Sequence, residues 1–264
     1  MKGKPTTTPP PFVVAIAGFD PSCGAGVVAD ARSIEAMGAM PLAVVTATTV
    51  QAGRGVKSFR PVAPAHVLAQ LDELLKRLPV AAVKIGQVPS AACARVLAGA
   101  LRRAGLPLVL DPVLVATGGA SLVGRGTAAA IANSLLPLAT LVTVNLAEAR
   151  VLAGLRVADL EGMKRAARVL VEMGAGAVLV KGGHLPGDPV DLLRCGGRDI
   201  LLRSPRIPGS MHGTGCALAS AVAARLACGD DLVPAVRAAR AHVRRLLGAA
   251  VGSGRGRLRA PSSY

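Results

Sequence analysis

Short apolar runs alternating with helical stretches predict an α/β protein: a three-layer sandwich whose mostly parallel central sheet carries helices on both faces. Three observations support this. Apolar runs recur at 13–17, 42–49, 80–85, 108–110, 141–144 and 177–180. Amphipathic or alanine-rich stretches lie between most of them. Glycine, proline or a lone polar residue stands at nearly every junction, where a parallel sheet needs its turns.

The elements follow in order. Val13 to Ala17 reads as a buried first strand, and Gly18–Gly26 is a glycine-rich turn into a helix that Gly38 stops. Leu42 to Thr49 is the second strand, closing at Gln51 before the loop Ala52-Gly53-Arg54-Gly55. Val67, Leu68, Leu71, Leu74, Leu75 and Leu78 carry amphipathic helix spacing over 65–78. Val80 to Ile85 is a strand, and Ser90 caps a helix ended by Gly105. Leu108–Leu110 is followed by a loop containing Thr117-Gly118-Gly119, then another helix. Leu141–Val144 ends at Asn145, a helix spans about 159–173, and Ala177–Val180 ends at Lys181. Val190–Leu193 and Ile200–Leu202 flank Cys195-Gly196-Gly197 as a hairpin. His212-Gly213-Thr214-Gly215-Cys216 opens an alanine-rich helix reaching Cys228-Gly229, and a basic helix covers 231–248.

The expected organisation is a flexible tail over 1–11, one domain over 12–250 and a flexible basic tail over 251–264. The N-terminus resembles a signal peptide only superficially, because its apolar part is short and ends in Gly18-Phe19-Asp20-Pro21. No uninterrupted apolar run is long enough to cross a bilayer. Five cysteines without paired spacing argue against zinc and a disulfide framework, and a cytoplasmic location is expected. A net charge of +16 admits nucleic acid or a polyphosphate substrate as partner. With three Phe, one Tyr and no Trp, stacking platforms are nearly absent, so nucleic acid is not expected.

The lone polar residues Asp20, Gln51, Gln87, Asp111, Asn145 and Lys181 each follow an apolar run. In a parallel sheet those positions converge outside the carboxyl ends of the strands, where ligands bind. First-turn amides of Gly213, Thr214, Gly215 and Cys216 suit anionic oxygens, and Lys181 suits phosphate. Asn145 and Glu148 offer hard oxygens for Mg2+, while Asp30 and Gln51 can hydrogen-bond a polar heterocycle. The helix start should lower the Cys216 pKa, letting the sulfur accept a hydroxyl proton during phosphoryl transfer. On the turn's own residues, an ordinary glycine turn before a core helix stays open as well. His184 and His212 read as loop-shaping hydrogen-bond formers, and His66 and His242 as surface residues. Cys23, Cys93, Cys195 and Cys228 read as small apolar fillers, and the arginines of the last helix as a solvated face.

Taken together, several segments resemble one family. Ala17-Gly18-Phe19-Asp20-Pro21-Ser22 with Gly24-Ala25-Gly26 and Ala29-Asp30, Val83-Lys84-Ile85-Gly86 and Leu110-Asp111-Pro112-Val113 are similar to hydroxymethylpyrimidine/phosphomethylpyrimidine kinases of thiamine biosynthesis. So are Asn145-Leu146-Ala147-Glu148-Ala149, Val180-Lys181-Gly182-Gly183-His184-Leu185 and His212–Cys216, in the same order. The resemblance implies a ribokinase-like fold, a homodimer, and successive ATP- and Mg2+-dependent phosphorylations of a pyrimidine alcohol and its monophosphate. It implies Cys216 as catalytic base in an anion hole of Gly213, Thr214 and Gly215, with Lys181 beside it. It places Gly18, Asp30, Gln51, Gln87 and Val113 around the substrate. Asp111, Asn145 and Glu148 fall around the metal, and Lys181, Asn145 and Thr214 around the nucleotide. Phe19 stands where the family commonly has Ser or Thr, and Gln87 where a methionine usually lines the pocket. A pyridoxal or pyridoxine kinase of the same fold is the alternative, followed by a non-catalytic binder of pyrimidine or nucleic acid.

Overall fold

A computed structural model describes residues 9–52, 55–115, 122–183, 185–208, 211–252 and 257–258. The chain begins with β1 (Phe12–Phe19), α1 (Gly26–Ala36), β2 (Met40–Gln51), β3 (Val56–Pro61), α2 (Pro64–Arg77), β4 (Val80–Ile85), α3 (Ala91–Ala104) and β5 (Leu108–Leu110). Next comes α4 (Thr127–Ala130), which continues as a π turn over Ile131–Leu135 and a 3-10 turn over Leu136–Leu138. Then follow β6 (Leu141–Asn145), α5 (Leu146–Ala153), α6 (Leu160–Glu172), β7 (Ala177–Lys181), the hairpin β8 (Val190–Cys195) and β9 (Arg198–Arg203), α7 (Thr214–Ala227) and α8 (Leu232–Gly248).

These strands form a nine-stranded sheet ordered β3-β2-β1-β4-β5-β6-β7-β8-β9. Strands β2, β1, β4, β5, β6 and β7 are mutually parallel, β3 and β8 run antiparallel beside them, and β9, antiparallel to β8, forms the far edge. Successive side chains of a strand face opposite layers. On β1, Val14 and Ile16 join one core with Val67 and Leu71 of α2, Leu97 of α3, Leu152 of α5 and Leu170 of α6. Val13 and Ala15 join the other with Ile34 of α1, Leu218 and Val222 of α7, and Val236 of α8. The helices therefore cover both faces, as the sequence predicts.

The same parity argument fixes the site. Ala82 of β4 belongs to the α1/α7 layer and Val83 to the opposite one, so Lys84 points toward α1 and α7. Between β1 and β4 the connections turn from one side of the sheet to the other, which opens a crevice at the strands' carboxyl ends.

Several expectations need correction. Strand β3 was not anticipated, because Lys57, Ser58, Arg60 and Pro61 give it no apolar alternation. Helix α5 was also missed, being too short for a periodic signal. His242, expected at the surface, is 4% exposed on the inner side of α8. Arg240, assigned to a solvated face, donates to Asp191 at 2.8 Å and to the Leu202 carbonyl at 2.7 Å. The expected C-terminal tail contains a short antiparallel pair, β10 (Val251–Gly252) with β11 (Arg257–Leu258). Thr117-Gly118-Gly119 and His184 lie outside the described residues.

Candidate active site

Two loops close over the crevice from distant parts of the sequence. In the first, Asp20 accepts from the Ser22 amide and hydroxyl, each at 2.8 Å, and from the Ala25 amide at 2.9 Å. In the second, His212 brings its Nε2 to 3.0 Å from Asp20 Oδ2. Burial works against the Asp20 charge, but the His212 and Ser22 bonds prevail and hold its carboxyl at about 2. Gly213, at φ +83°, leaves no room for a side chain, since a Cβ there would collide with the Gly24 carbonyl. His212 thus shapes its loop, as expected.

Gly213 caps α7, and its carbonyl accepts the first helical bond, from Ala217, at 2.9 Å. The amides of Thr214, Gly215 and Cys216 therefore lack acceptors within the helix, and the helix dipole adds positive charge there. Cys216 is partly buried in the first turn of α7. Its pKa does not fall, contrary to the sequence expectation. Burial pushes it up to about 12, with Asp30 and Asp111 adding to the rise and Lys84 and the Gly26 amide opposing it. Desolvation outweighs the helix start.

Lys181 and Asn145 are register partners at the ends of β7 and β6. Lys181 Nζ lies 2.9 Å from Asp111 Oδ1, which also accepts from the Thr143 hydroxyl at 2.9 Å. Burial opposes both charges, yet Lys181 is raised to about 12 by Asp111 and Glu148, and Asp111 is lowered by Lys181 and Lys84. A Cβ at Gly215 would stand 3.1 Å from Lys181 Nζ and 3.7 Å from Asp111 Oδ2. The start of α7 thus abuts the Lys181–Asp111 pair.

Asn145 and Glu148 form a reciprocal capping box on α5, each accepting from the other's amide at 2.9 Å. The Asn145 oxygen expected on a metal is therefore engaged by the helix. Burial pushes Glu148 up to about 7, against the pull of Lys181, and the Asp111 charge raises it further. Repulsion between these carboxylates is relieved by a divalent cation, so Asp111 and Glu148 suit Mg2+ held partly through water. Among the described residues no group of three or more His, Cys, Asp or Glu is placed to cage a metal unaided.

At the β1/β4 crevice, buried Gln87 lies against Gly18, where a Cβ would strike its Oε1. The Gln87 side-chain amide donates to the Leu122 carbonyl at 3.3 Å, and the Gln87 backbone carbonyl accepts from the Thr46 hydroxyl at 2.7 Å. Gln51 ends β2 partly buried, and Val113, partly exposed, donates to the Asp111 carbonyl at 2.8 Å. Asp30 behaves differently from the expected substrate contact. It is fully buried, and both its oxygens are engaged by Lys84 Nζ at 2.9 and 2.8 Å. The Ser220 hydroxyl also donates to it, at 2.8 Å. Sequence reasoning gave no role to Thr143, Ser220 or Lys84. The available signal was a lysine inside the apolar run Val80–Ile85, which implies a buried partner.

Comparison with known proteins agrees with this geometry. The family described as phosphomethylpyrimidine kinase matches residues 20–260. A hydroxymethylpyrimidine/phosphomethylpyrimidine kinase of Rhizobium meliloti is 43% identical over 252 residues, covering 93% of this chain and 95% of that protein. The crystal structure of phosphomethylpyrimidine kinase from Clostridium difficile superposes with TM-score 0.79 at 30% identity, covering 89% of this chain and 98% of that one. Pyridoxal kinase from Staphylococcus aureus, solved with pyridoxal, gives TM-score 0.87 at 29% identity, covering 95% and 93%. The mostly parallel sheet, the crevice at its switch point and this match across nearly the whole chain assign the protein to the phosphomethylpyrimidine kinase family of ribokinase-like kinases.

Proposed function

We propose that the protein phosphorylates a hydroxymethylpyrimidine and then its monophosphate with ATP and Mg2+. The observation that carries this reading is the meeting of the first turn of α7 with the Lys181–Asp111 pair. Free amides, a helix dipole and a partly buried ammonium there suit the equatorial oxygens of a transferring phosphoryl group. Thr214 and the Asn145 amide group supply further donors toward the nucleotide phosphates. Asp111 and Glu148 would hold Mg2+, which supplies charge neutralisation at the phosphates when bound.

Cys216 is the base in this reading. The substrate hydroxyl passes its proton to the thiolate as its oxygen bonds to the γ-phosphorus. The bond to the bridging oxygen breaks, and ADP leaves. Because burial keeps the resting sulfur protonated, that proton must first go to solvent.

The pyrimidine occupies the crevice beside Gly18, Gln51, Gln87 and Val113. Asp30 acts through Lys84 instead of touching the ring. A pyridoxal kinase is the second reading, favoured by the TM-score of 0.87 and by the polar amide of Gln87 in the crevice. Product masses after incubation with ATP, Mg2+ and either hydroxymethylpyrimidine or pyridoxal test the choice. Two successive phosphoryl additions to the pyrimidine support the proposal, and a strong preference for pyridoxal replaces it. A homodimer is part of the proposal and is checked by sedimentation.

A further inference from the structure

Among the described residues Lys84 is the largest side chain with no exposed surface, and nothing in the phosphoryl-transfer chemistry above uses it directly. Its ammonium is held by both oxygens of Asp30 from α1, and Asp30 in turn by Ser220 from α7. Ser220 is one helical turn beyond Cys216, so the two side chains share a face of α7. A glycine at 86 makes the space, because a Cβ there would sit 2.8 Å from Lys84 Nζ. From these positions we infer that Lys84 is a positioning residue for the reaction, its ammonium serving as the fixed counter-charge for the Cys216 thiolate.

The inference rests on the reading in which Cys216 is the base. The charged groups within electrostatic reach of the sulfur are Lys84 on β4, Asp30 on α1, Asp111 after β5 and Lys181 on β7. Lys84 heads the influences that draw the thiol down, while Asp30 and Asp111 push it up. Burial works against the Lys84 charge as well, but Asp30 foremost, then Cys216 and Asp111, keep it firmly protonated. A buried ammonium already paired costs the thiolate no reorganisation when it forms. Ser220 and Asp30 set where that charge sits, and thereby link the packing of α1 and α7 to the sulfur.

The test is the pH dependence of Cys216 alkylation by iodoacetamide, read on the Cys216 peptide by mass spectrometry in the full chain. Lys84→Met raises the midpoint, and alkylation at fixed pH slows by about tenfold for every pH unit the midpoint rises. Asp30→Asn lowers the midpoint and speeds alkylation. The double variant Lys84→Met/Asp30→Asn alkylates more slowly than Asp30→Asn alone, and Lys84→Met lowers kcat/KM for the alcohol. A merely structural role moves both single variants in the same direction. Equal rates in all variants, or changes of one sign in both single variants, overturn the inference. If Lys84→Met alone does not fold, Asp30→Asn against the double variant carries the test, since they differ only at position 84. Unchanged turnover in Cys216→Ala removes the base reading instead, and leaves the alkylation result standing.

Discussion

His212 Nε2 lies 3.0 Å from Asp20 Oδ2, joining loops 192 residues apart in sequence beside the first turn of α7. The clasp holds Gly213 against Gly24. Asp20→Ala removes the acceptor of two amides and a hydroxyl as well. We expect a stability loss of about 1–3 kcal/mol, measured by urea unfolding, with kcat falling more than KM rises. His212→Ala lowers kcat in the same way. The folded pKa of Asp20, about 2, is below its ordinary 3.8. Its contribution is therefore complete above pH 3.8 and fades as pH falls through 2.

The thiol of partly buried Cys216 sets the pH profile. With its pKa near 12, the thiolate fraction grows with pH throughout the accessible range. In kcat/KM for the alcohol this gives a limb rising by up to about tenfold per unit on the alkaline side. A profile flat from neutral to alkaline pH contradicts the base role.

Lys181 has a double dependence to reveal. Lys181→Met leaves Asp111 buried, with its nearest counter-charge gone, and costs about 3 kcal/mol in thermal or urea unfolding. Adding Asp111→Asn recovers most of that stability. Turnover stays reduced by about 100-fold or more in both variants, because the ammonium proposed to meet the phosphate is absent.

Glu148 gives the opposite sign to Asp20. Its folded pKa, about 7, lies above its ordinary 4.5. The folded state binds the proton more tightly, so stability is fullest below pH 4.5 and declines until pH 7, by about 3 kcal/mol at most. Glu148→Gln abolishes that decline in unfolding measured at several pH values. The same substitution weakens Mg2+-dependent turnover.

Much of this site was legible in the sequence because parallel strands end on one edge. Asp20, Gln51, Gln87, Asp111, Asn145 and Lys181 were placed there by that rule alone. Local signals also worked where they are complete: Ser90 caps α3 and Gly105 ends it, and Gly196-Gly197 turns the β8–β9 hairpin. Strand β3 lacked such a signal, because an edge strand carries polar residues on both sides. The Cys216 pKa was misjudged because a helix start is visible in sequence, whereas the depth of burial is not. Lys84 and Asp30 are 54 residues apart, and only the packing of α1 and β4 against α7 shows that they are one unit.

The most direct measurement is the initial rate of ATP-dependent phosphorylation of hydroxymethylpyrimidine by the wild-type chain and by Cys216→Ala. The wild type should form the monophosphate and then the diphosphate, while Cys216→Ala loses about 100-fold or more in kcat with pyrimidine binding retained. Equal rates in the two proteins, or no phosphorylated pyrimidine from the wild type, contradict the account.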